Sequence, residues 1–168
     1  RMLGFPPEYA GFEHARREAS LDVQGPPQLH HLHDFQERSV VKIQDLLRAS
    51  RNRRGMLALP TGAGKTRICI EALIRFAGDA PLSGPILWVA QSDELCEQAV
   101  QAWSELWRAF GPQGRMRISR LWAANGATPF MDGTHVIVAT IQKLQGCIGA
   151  AEYDWLDDAA CVIIDEAH

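Results

Sequence analysis

The chain has 168 residues, of which 46% are hydrophobic and 22% charged, and its formal net charge at pH 7 is −3. This length suits one domain with a substantial core, and no apolar stretch approaches the roughly 20 residues that span a membrane. The negative charge argues against a broadly basic, histone-like binder, although a local basic patch can still hold nucleic acid.

Targeting and redox features favour the cytoplasm. The opening residues, "RMLGFPPEYAGFEHARREAS", lack the apolar segment of a signal peptide. The four cysteines lie far apart in apolar surroundings and form no CxxC pair: Cys69, Cys96, Cys147 and Cys161. We expect buried, reduced thiols, with a zinc site as the alternative. The sequence therefore predicts a soluble cytoplasmic protein.

The first residues differ in character from the rest. Residues 1–29 carry two Pro-Pro pairs and little hydrophobic period, so we predict an arm or linker there and a domain over residues 30–168. The domain begins with "LHDFQERSVVKIQDLLRAS", which reads as an amphipathic helix. Its apolar residues recur at three- and four-residue spacings: Phe35, Val40, Ile43, Leu46 and Leu47.

From residue 55 onward, apolar runs alternate with helical patterns. The predicted strands are "GMLALP", "PILWVA", "RMRISRLWA", "HVIVAT" and "ACVIIDEA". The predicted helices are "TGAGKTRICIEALIRFAG" after its glycine loop, "SDELCEQAVQAWSELWRAF", with Ser92 or Asp93 as its N-cap, and "IQKLQGCIG". Apolar strands separated by helices indicate a parallel sheet covered on both faces, which is a doubly wound α/β fold.

The glycine loop "LPTGAGKT", residues 59–66, lies between a predicted strand and a predicted helix. Gly62 and Gly64 allow the backbone N–H groups to turn inward toward phosphate oxygens, next to the positive end of the helix. Lys65 can reach the β- and γ-phosphates, and Thr66 can offer its hydroxyl to Mg²⁺. A glycine-rich turn with a solvated lysine is the alternative, and the flanking elements count against it.

The segment "VIIDEAH" places two carboxylates at the end of an apolar strand. Asp165 can hold Mg²⁺ together with Thr66, and Glu166 is the natural group to orient and deprotonate the attacking water. A solvated acidic turn is the alternative for an isolated pair of carboxylates. The pairing with a phosphate loop about a hundred residues earlier favours a nucleotide site.

"PTGAGKT" and "DEAH" resemble motifs I and II of superfamily 2 helicases and translocases, a family in which Leu or Ala commonly precedes Pro-Thr-Gly. The resemblance covers most of residues 32–168 and implies the first RecA-like domain of a P-loop NTPase. "LHDFQ" is similar to "LRxYQ" of the branch that contains type III restriction subunits, with His33 where Arg is usual. This similarity implies that Gln36 reads the adenine.

The resemblance implies a role for each residue of these motifs. Lys65, Asp165 and Glu166 would perform ATP hydrolysis, and His168 would link the nucleotide site to the nucleic-acid side. ATP binding would involve Gln36 and the loop, namely Pro60, Thr61, Gly62, Ala63, Gly64, Lys65 and Thr66. The implied cofactors are ATP and Mg²⁺.

Two further segments are similar to nucleic-acid contact motifs of the family. "WVAQSDELCEQA" looks like motif Ia, and "VATIQKL" is similar to the segment that follows it. The similarity implies contacts from Gln91, Thr140 and Gln142. For Thr140 a strand-end cap is the alternative.

The resemblance also implies partners: nucleic acid, DNA more than RNA, and a second RecA-like domain that supplies arginine fingers. In RecA-like sheets the strand after motif II usually inserts beside the phosphate-loop strand. We therefore expect this chain to be a piece of a longer one, with a sheet incomplete at its C-terminal end and poor ATP turnover by itself.

We predict an ATP-dependent helicase or translocase. The alternatives are a P-loop kinase or GTPase, another P-loop ATPase, or a nucleotide-binding interaction module. A kinase or GTPase needs an acceptor pocket or an NKxD-like motif, and the sequence supplies neither. The presence of Lys65, Asp165 and Glu166 together counts against an inactive module.

Other constellations have weaker functional meaning. His30, His31 and His33 could bind a metal but are more often solvated. The arginine clusters at residues 48–54 and 115–120 can form a solvated face or contact phosphates. Trp103 and Trp107, four residues apart on one helix, indicate core or interface packing rather than base stacking.

Overall fold

The computed structural model describes residues 19–24, 31–51, 53–79 and 82–165. These residues form five strands: β1 (Ser20–Gln24), β2 (Ile86–Ala90), β3 (Arg115–Leu121), β4 (Thr134–Thr140) and β5 (Cys161–Ile164). They also form four α-helices: α1 (Asp34–Arg48), α2 (Lys65–Asp79), α3 (Asp93–Phe110) and α4 (Ile141–Cys147). A 3-10 helix, Ala151–Asp158, precedes β5.

The strands make one sheet in the order β1-β3-β4-β2-β5. All neighbouring pairs are parallel except β1 and β3, which are antiparallel. β2 therefore lies between β4 and β5, and Trp88 pairs with Val138 on one side and Ile163 on the other. The mostly parallel α/β architecture predicted from the sequence is confirmed.

The two faces of the sheet are both covered, as the continuous apolar strands predict. Along β2, Ile86 and Trp88 belong to a core cluster shared with α2 and α3. The alternating Leu87 and Val89 point to the opposite face, where they join a second cluster with Cys147 of α4. This period of two residues lets one short strand contribute to both cores.

The tryptophans of α3 lie in the larger core, in agreement with the sequence analysis. Trp103 and Trp107 are fully buried, and the Trp103 ring meets Trp88 edge-on with centroids 6.2 Å apart. Within the described part of the chain, the indole N–H of Trp103 has no hydrogen-bond partner. Trp103 therefore stabilises the fold through packing alone.

Truncation of Trp103 should strongly destabilise the domain. We expect Trp103→Ala to lower the free energy of unfolding by about 3–5 kcal/mol, because a large buried side chain leaves a cavity between α3 and the sheet. Trp103→Phe should cost much less, since it keeps most of the volume and removes a donor that lacks a partner. Urea denaturation measures both, and equal losses for Phe and Ala would contradict packing as the cause.

The start of α3 conforms to its sequence signal. Ser92 caps α3, where its hydroxyl oxygen accepts from the N–H of Leu95 at 3.3 Å. At the start of α1, the Gln36 side-chain oxygen accepts from the His33 N–H at 3.0 Å. The face of α1 is less regular than predicted, because Val40 is buried whereas Phe35 is 41% exposed and stacks on His33.

The predicted strand "GMLALP" is wrong: residues 55–60 have no regular secondary structure. A strand needs a neighbouring ladder to pair its backbone groups, and no described strand runs beside this segment. Leu57 and Leu59 instead pack against a small cluster formed by Val40, Ile68 and Ala72 between α1 and α2. Met56 is 87% exposed.

Two elements were not predicted. β1 lies within residues 1–29, the segment predicted as an arm or linker, and its backbone pairs residue by residue with β3, Ser20 opposite Ser119. The 3-10 helix, Ala151–Asp158, covers the second face of the sheet through Tyr153, Trp155 and Leu156. Both depend on contacts with distant parts of the chain, which a local hydrophobic pattern does not contain.

Candidate active site

The glycine loop connects residues 55–59 to α2 and has the backbone conformation that its glycines permit. Gly62 and Gly64 have φ angles of +80° and +82°, a region that favours glycine. The Ala63 N–H donates to the Pro60 carbonyl at 3.2 Å, and the Ile68 N–H donates to the Gly64 carbonyl at 2.9 Å. The loop therefore curls tightly and runs directly into the first turn of α2.

Lys65 begins α2 and folds back over the loop. Its ammonium group donates to the carbonyl oxygen of Leu59 at 3.0 Å and to that of Pro60 at 3.4 Å. A phosphate oxygen is a stronger acceptor for an ammonium group than a neutral carbonyl. The amine is thus held at the loop by weak partners that a phosphate group can replace. Thr66, the next residue, is half-buried.

Gln36 joins α1 to the loop. Its side-chain oxygen accepts from the His33 N–H at 3.0 Å, and its side-chain nitrogen donates to the Ala63 carbonyl at 3.1 Å. A carboxamide offers two donors and two acceptor positions, so each end of Gln36 keeps one for a ligand. The structure therefore brings Gln36 to the phosphate loop, 27 residues further along the chain.

The positive φ angle of Gly64 favours glycine, and the end of the Gln36 side chain also lies close to this position. A Cβ atom there would lie 2.8 Å from the Gln36 side-chain nitrogen, whereas a Cβ atom on Gly62 would meet nothing within 4 Å. The two glycines have similar φ angles. Alanine substitution at Gly62 introduces backbone strain only, whereas the same substitution at Gly64 introduces similar strain and a contact with Gln36.

We expect Gly62→Ala to cost about 1–2 kcal/mol through left-handed strain alone. Gly64→Ala should cost about 1 kcal/mol more, because it also breaks the hydrogen bond from Gln36 to Ala63. Urea midpoints of the two variants measure the difference. Equal losses would show that the Gln36 side chain can move away from the loop without a cost in stability.

Asp165 follows β5 and remains in line with the sheet. Its N–H donates to the Val89 carbonyl at 2.9 Å. Its carboxylate is close enough to Cys69 to contribute to the raised pKa of that thiol. Cys69 lies one turn after Thr66 on α2. Glu166 and His168 lie outside the described residues.

The chain's cysteines are free thiols, two of them buried and two partly buried. Burial, followed by the charge of Asp165, raises the pKa of Cys69 to about 11, and burial raises the pKa of Cys96 to about 12. The ordinary value is 9.0, so both thiols remain protonated at pH 8. Among the described residues no group of three or more His, Cys, Asp or Glu side chains could hold a metal ion.

We predict that iodoacetamide alkylates Cys69 at least about 100-fold more slowly in the native protein than in guanidine, because the thiolate is the reactive form. Peptide mass spectrometry after timed labelling at pH 8 measures the rate for each cysteine. Native labelling as fast as in the unfolded chain would contradict the raised pKa.

An open cleft of about 530 Å³, the Thr140 cleft, lies at the carboxyl ends of β2 and β4. It brings together the three residues to which the sequence assigned nucleic-acid contacts: Gln91, Thr140 and Gln142. Ser92, Asp93, Ala123 and Lys143 complete its lining. The amide, hydroxyl and ammonium groups of this lining can donate to phosphate oxygens, whereas the Asp93 carboxylate cannot.

Thr140 forms the strand-end cap that the sequence left open as an alternative. Its hydroxyl oxygen accepts from the Lys143 N–H at 3.3 Å at the start of α4. The hydroxyl hydrogen is not used in this bond, so a cap and a phosphate contact are compatible. Lys143 was missed as a site residue, although Lys is rare in this chain; its ammonium donates to the Ala123 carbonyl at 3.2 Å.

The other proposed binding groups have different surroundings. His31 and His33 are exposed, and His30 lies outside the described residues. Arg48 pairs with Asp79, and Arg53 donates to the Ala49 carbonyl. Arg115 and Arg117 lie over the ring of Phe130, with guanidinium carbons 5.6 and 4.3 Å from its centroid.

A mostly parallel sheet, a glycine loop leading into a helix, and an aspartate at the end of β5 define a P-loop domain of the RecA-like type. The family model described as "Type III restriction enzyme, res subunit" matches residues 29–168, and the chain belongs to this family. The family comprises helicase-like, ATP-dependent enzymes that act on nucleic acid. No curated protein and no solved structure matches the chain. Within its described part, no helix is long and apolar enough to cross a membrane.

Proposed function

We propose that this chain is the ATP-hydrolysing domain of a nucleic-acid-dependent helicase or translocase, with DNA as the favoured partner. One observation carries the proposal: the Thr140 cleft and Asp165 lie at the ends of three adjacent parallel strands, β4, β2 and β5. Thr140 is paired with Ala90 of β2, and Asp165 bonds to Val89 of the same strand. Ligands of parallel α/β sheets bind at this edge.

The loop residues would bind and orient the triphosphate. Backbone N–H groups of residues 61–66 and the positive end of α2 favour the β- and γ-phosphates. Lys65 exchanges the carbonyls of Leu59 and Pro60 for phosphate oxygens and neutralises charge that develops during transfer. Gln36 uses its remaining donor and acceptor on the adenine edge.

The residues present fit Mg²⁺, which prefers oxygen ligands. The Thr66 hydroxyl and the Asp165 carboxylate supply them from α2 and from the end of β5. When bound, Mg²⁺ neutralises the phosphates and polarises the bond to be broken. Glu166, one residue beyond Asp165, would hold the attacking water and accept its proton.

His168 would connect the carboxylate end of β5 to the nucleic-acid side, as the family resemblance implies. On that side, the Thr140 hydroxyl, the amides of Gln91 and Gln142 and the Lys143 ammonium would face the strand backbone. A second RecA-like domain would supply the arginine fingers that stabilise the transferring phosphate. A cytoplasmic location agrees with the free thiols.

The decisive experiment compares ATP hydrolysis by the intact protein with and without nucleic acid. We expect stimulation by DNA, tested with single strands, duplexes and RNA of equal length. Lys143→Ala should reduce the stimulation and leave the basal rate unchanged, since Lys143 lines the Thr140 cleft and its ammonium donates to Ala123 rather than to the glycine loop. Equal turnover with and without any nucleic acid would overturn the proposal in favour of a different P-loop ATPase. Absence of nucleotide turnover and binding would indicate an interaction module.

A further inference from the structure

A group of charged side chains joins α1 to α2 behind the phosphate loop. Arg75 of α2 donates to both carboxylate oxygens of Glu37 in α1, through Nη1 to Oε1 and through Nη2 to Oε2 at 3.1 Å. Nη2 also donates to Glu71 Oε1 at 2.6 Å. One guanidinium group therefore binds a carboxylate on each of two helices, in the forked geometry that only arginine provides.

Glu71 anchors the Arg75 guanidinium group because its own side chain is buried. Its side chain is 1% exposed, and Arg67 donates to its second carboxylate oxygen at 3.4 Å. A buried carboxylate needs partners of this kind, because an uncompensated buried charge is costly. Arg75 is consequently held by an anchored neighbour in its own helix before it reaches across to α1. The hydrogen bonds from Arg75 lower the pKa of the Glu37 carboxyl, so Glu37 stays ionised at neutral pH.

Glu37 immediately follows Gln36, the residue that contacts the loop. Successive side chains on a helix point about 100° apart, so fixing one of them fixes the rotation of the helix and the direction of the other. Gln36 spans a short gap: its nitrogen reaches Ala63 at 3.1 Å and a Cβ atom on Gly64 would already be too close. A small rotation or shift of α1 would therefore change this contact.

We propose that Arg75 is a positioning residue: by holding Glu37 it sets the orientation of Gln36 on the phosphate loop, and thereby tunes affinity and base selectivity for the nucleoside triphosphate. The inference rests on the proposed function, because it requires that the loop bind a nucleotide. It adds to that function a group on the outer side of α2 that touches neither phosphate nor base.

The same helix pair contains a control. Arg48 near the end of α1 donates to Asp79 at the end of α2 at 2.6 Å, and both side chains are largely exposed. This ion pair also joins α1 to α2, but Arg48 lies 12 positions after Gln36, at the opposite end of α1. Arg48→Ala therefore removes a connection between the helices without altering the first turn of α1.

The experiment is a double-mutant cycle on the intact protein, with binding of fluorescent ATP and GTP analogues as the readout. We expect Arg75→Ala to weaken ATP binding about fivefold, the equivalent of one hydrogen bond, with a smaller effect on GTP. The ATP affinity of Arg75→Lys should lie between that of Arg75→Ala and that of the parent protein, because lysine keeps the charge but cannot bind two carboxylates with one planar group. In a Gln36→Ala background, Arg75→Ala should change ATP binding by less than about twofold, since two residues that act through one contact are not additive.

Glu37→Gln tests the same link without disturbing the buried pair of Arg75 and Glu71, so it remains informative if Arg75→Ala unfolds the protein. Glu37→Gln should weaken ATP binding as Arg75→Ala does, whereas Arg48→Ala should not. Equal ATP affinity in Glu37→Gln and the parent protein, or equal weakening of ATP and GTP, would overturn the positioning role and leave the proposed function in place. A parent protein that binds neither nucleotide would overturn both.

Discussion

Lys65→Ala should reduce ATP turnover by the intact protein at least about 100-fold, the loss expected when a charged group aimed at developing negative charge is removed. The fold should be little affected, because within the described residues the Lys65 ammonium donates only to the Leu59 and Pro60 carbonyls, the latter at 3.4 Å in an exposed part of the loop. Steady-state release of phosphate measures turnover, and urea denaturation verifies the fold.

Lys143→Ala is the matched control for this lysine. Both residues lie in the first turn of a helix and donate to a backbone carbonyl, yet Lys143 lines the Thr140 cleft. Its replacement should leave basal turnover intact. A Lys65→Ala protein that hydrolysed ATP at the parent rate would exclude the loop as the phosphate site, whatever Lys143→Ala did.

Glu166→Gln should separate ATP binding from ATP hydrolysis. The amide keeps the size and hydrogen-bonding capacity of the side chain and cannot accept a proton from water, so we expect turnover to fall by about 10²–10⁴-fold while ATP still binds. Single-turnover hydrolysis and equilibrium binding of ATP to the same preparation measure the two effects. Normal hydrolysis by this variant would transfer the general-base role to another group.

Glu105→Gln makes the same chemical change on the exposed side of α3 and controls for charge alone. We expect it to hydrolyse ATP at the parent rate. Asp165→Asn supplies a second comparison, since loss of a magnesium ligand should lower turnover and raise the Mg²⁺ concentration at which turnover is half-maximal. A pattern in which Asp165→Asn and Glu166→Gln were indistinguishable in magnesium titrations would contradict their separate roles.

The features that were predicted correctly depend on short stretches of sequence. The glycine loop is determined by Gly62 and Gly64 within a few residues, and the α3 start by Ser92 and the N–H group three residues later. The alternation in β2 between Trp88 and Val89 follows from strand geometry alone. In each case, the physical cause lies within one turn or one strand.

The features that were missed depend on distant partners. β1 is a strand because β3 offers it an edge, and residues 55–60 are not a strand because no described strand pairs with them. Arg75 and Glu71 have the four-residue spacing of an ordinary surface ion pair, which gave no indication that Glu71 is buried or that Glu37 completes the group. Gln36 was assigned from a family resemblance, but its contact with Ala63 was visible only in the structure.

The position of β2 has a consequence for communication between the proposed nucleotide site and the proposed nucleic-acid site. β4, which ends at Thr140, and β5, which leads to Asp165, are separated by this one strand, so their ends are only about 10 Å apart. That separation is comparable to the Debye length at 0.1 M salt. Phosphates held in the Thr140 cleft would therefore act on the charge balance around Asp165 through space, without any rearrangement of the sheet. Part of the signal between nucleic acid and nucleotide would then be electrostatic, and it would fade as the ionic strength rises.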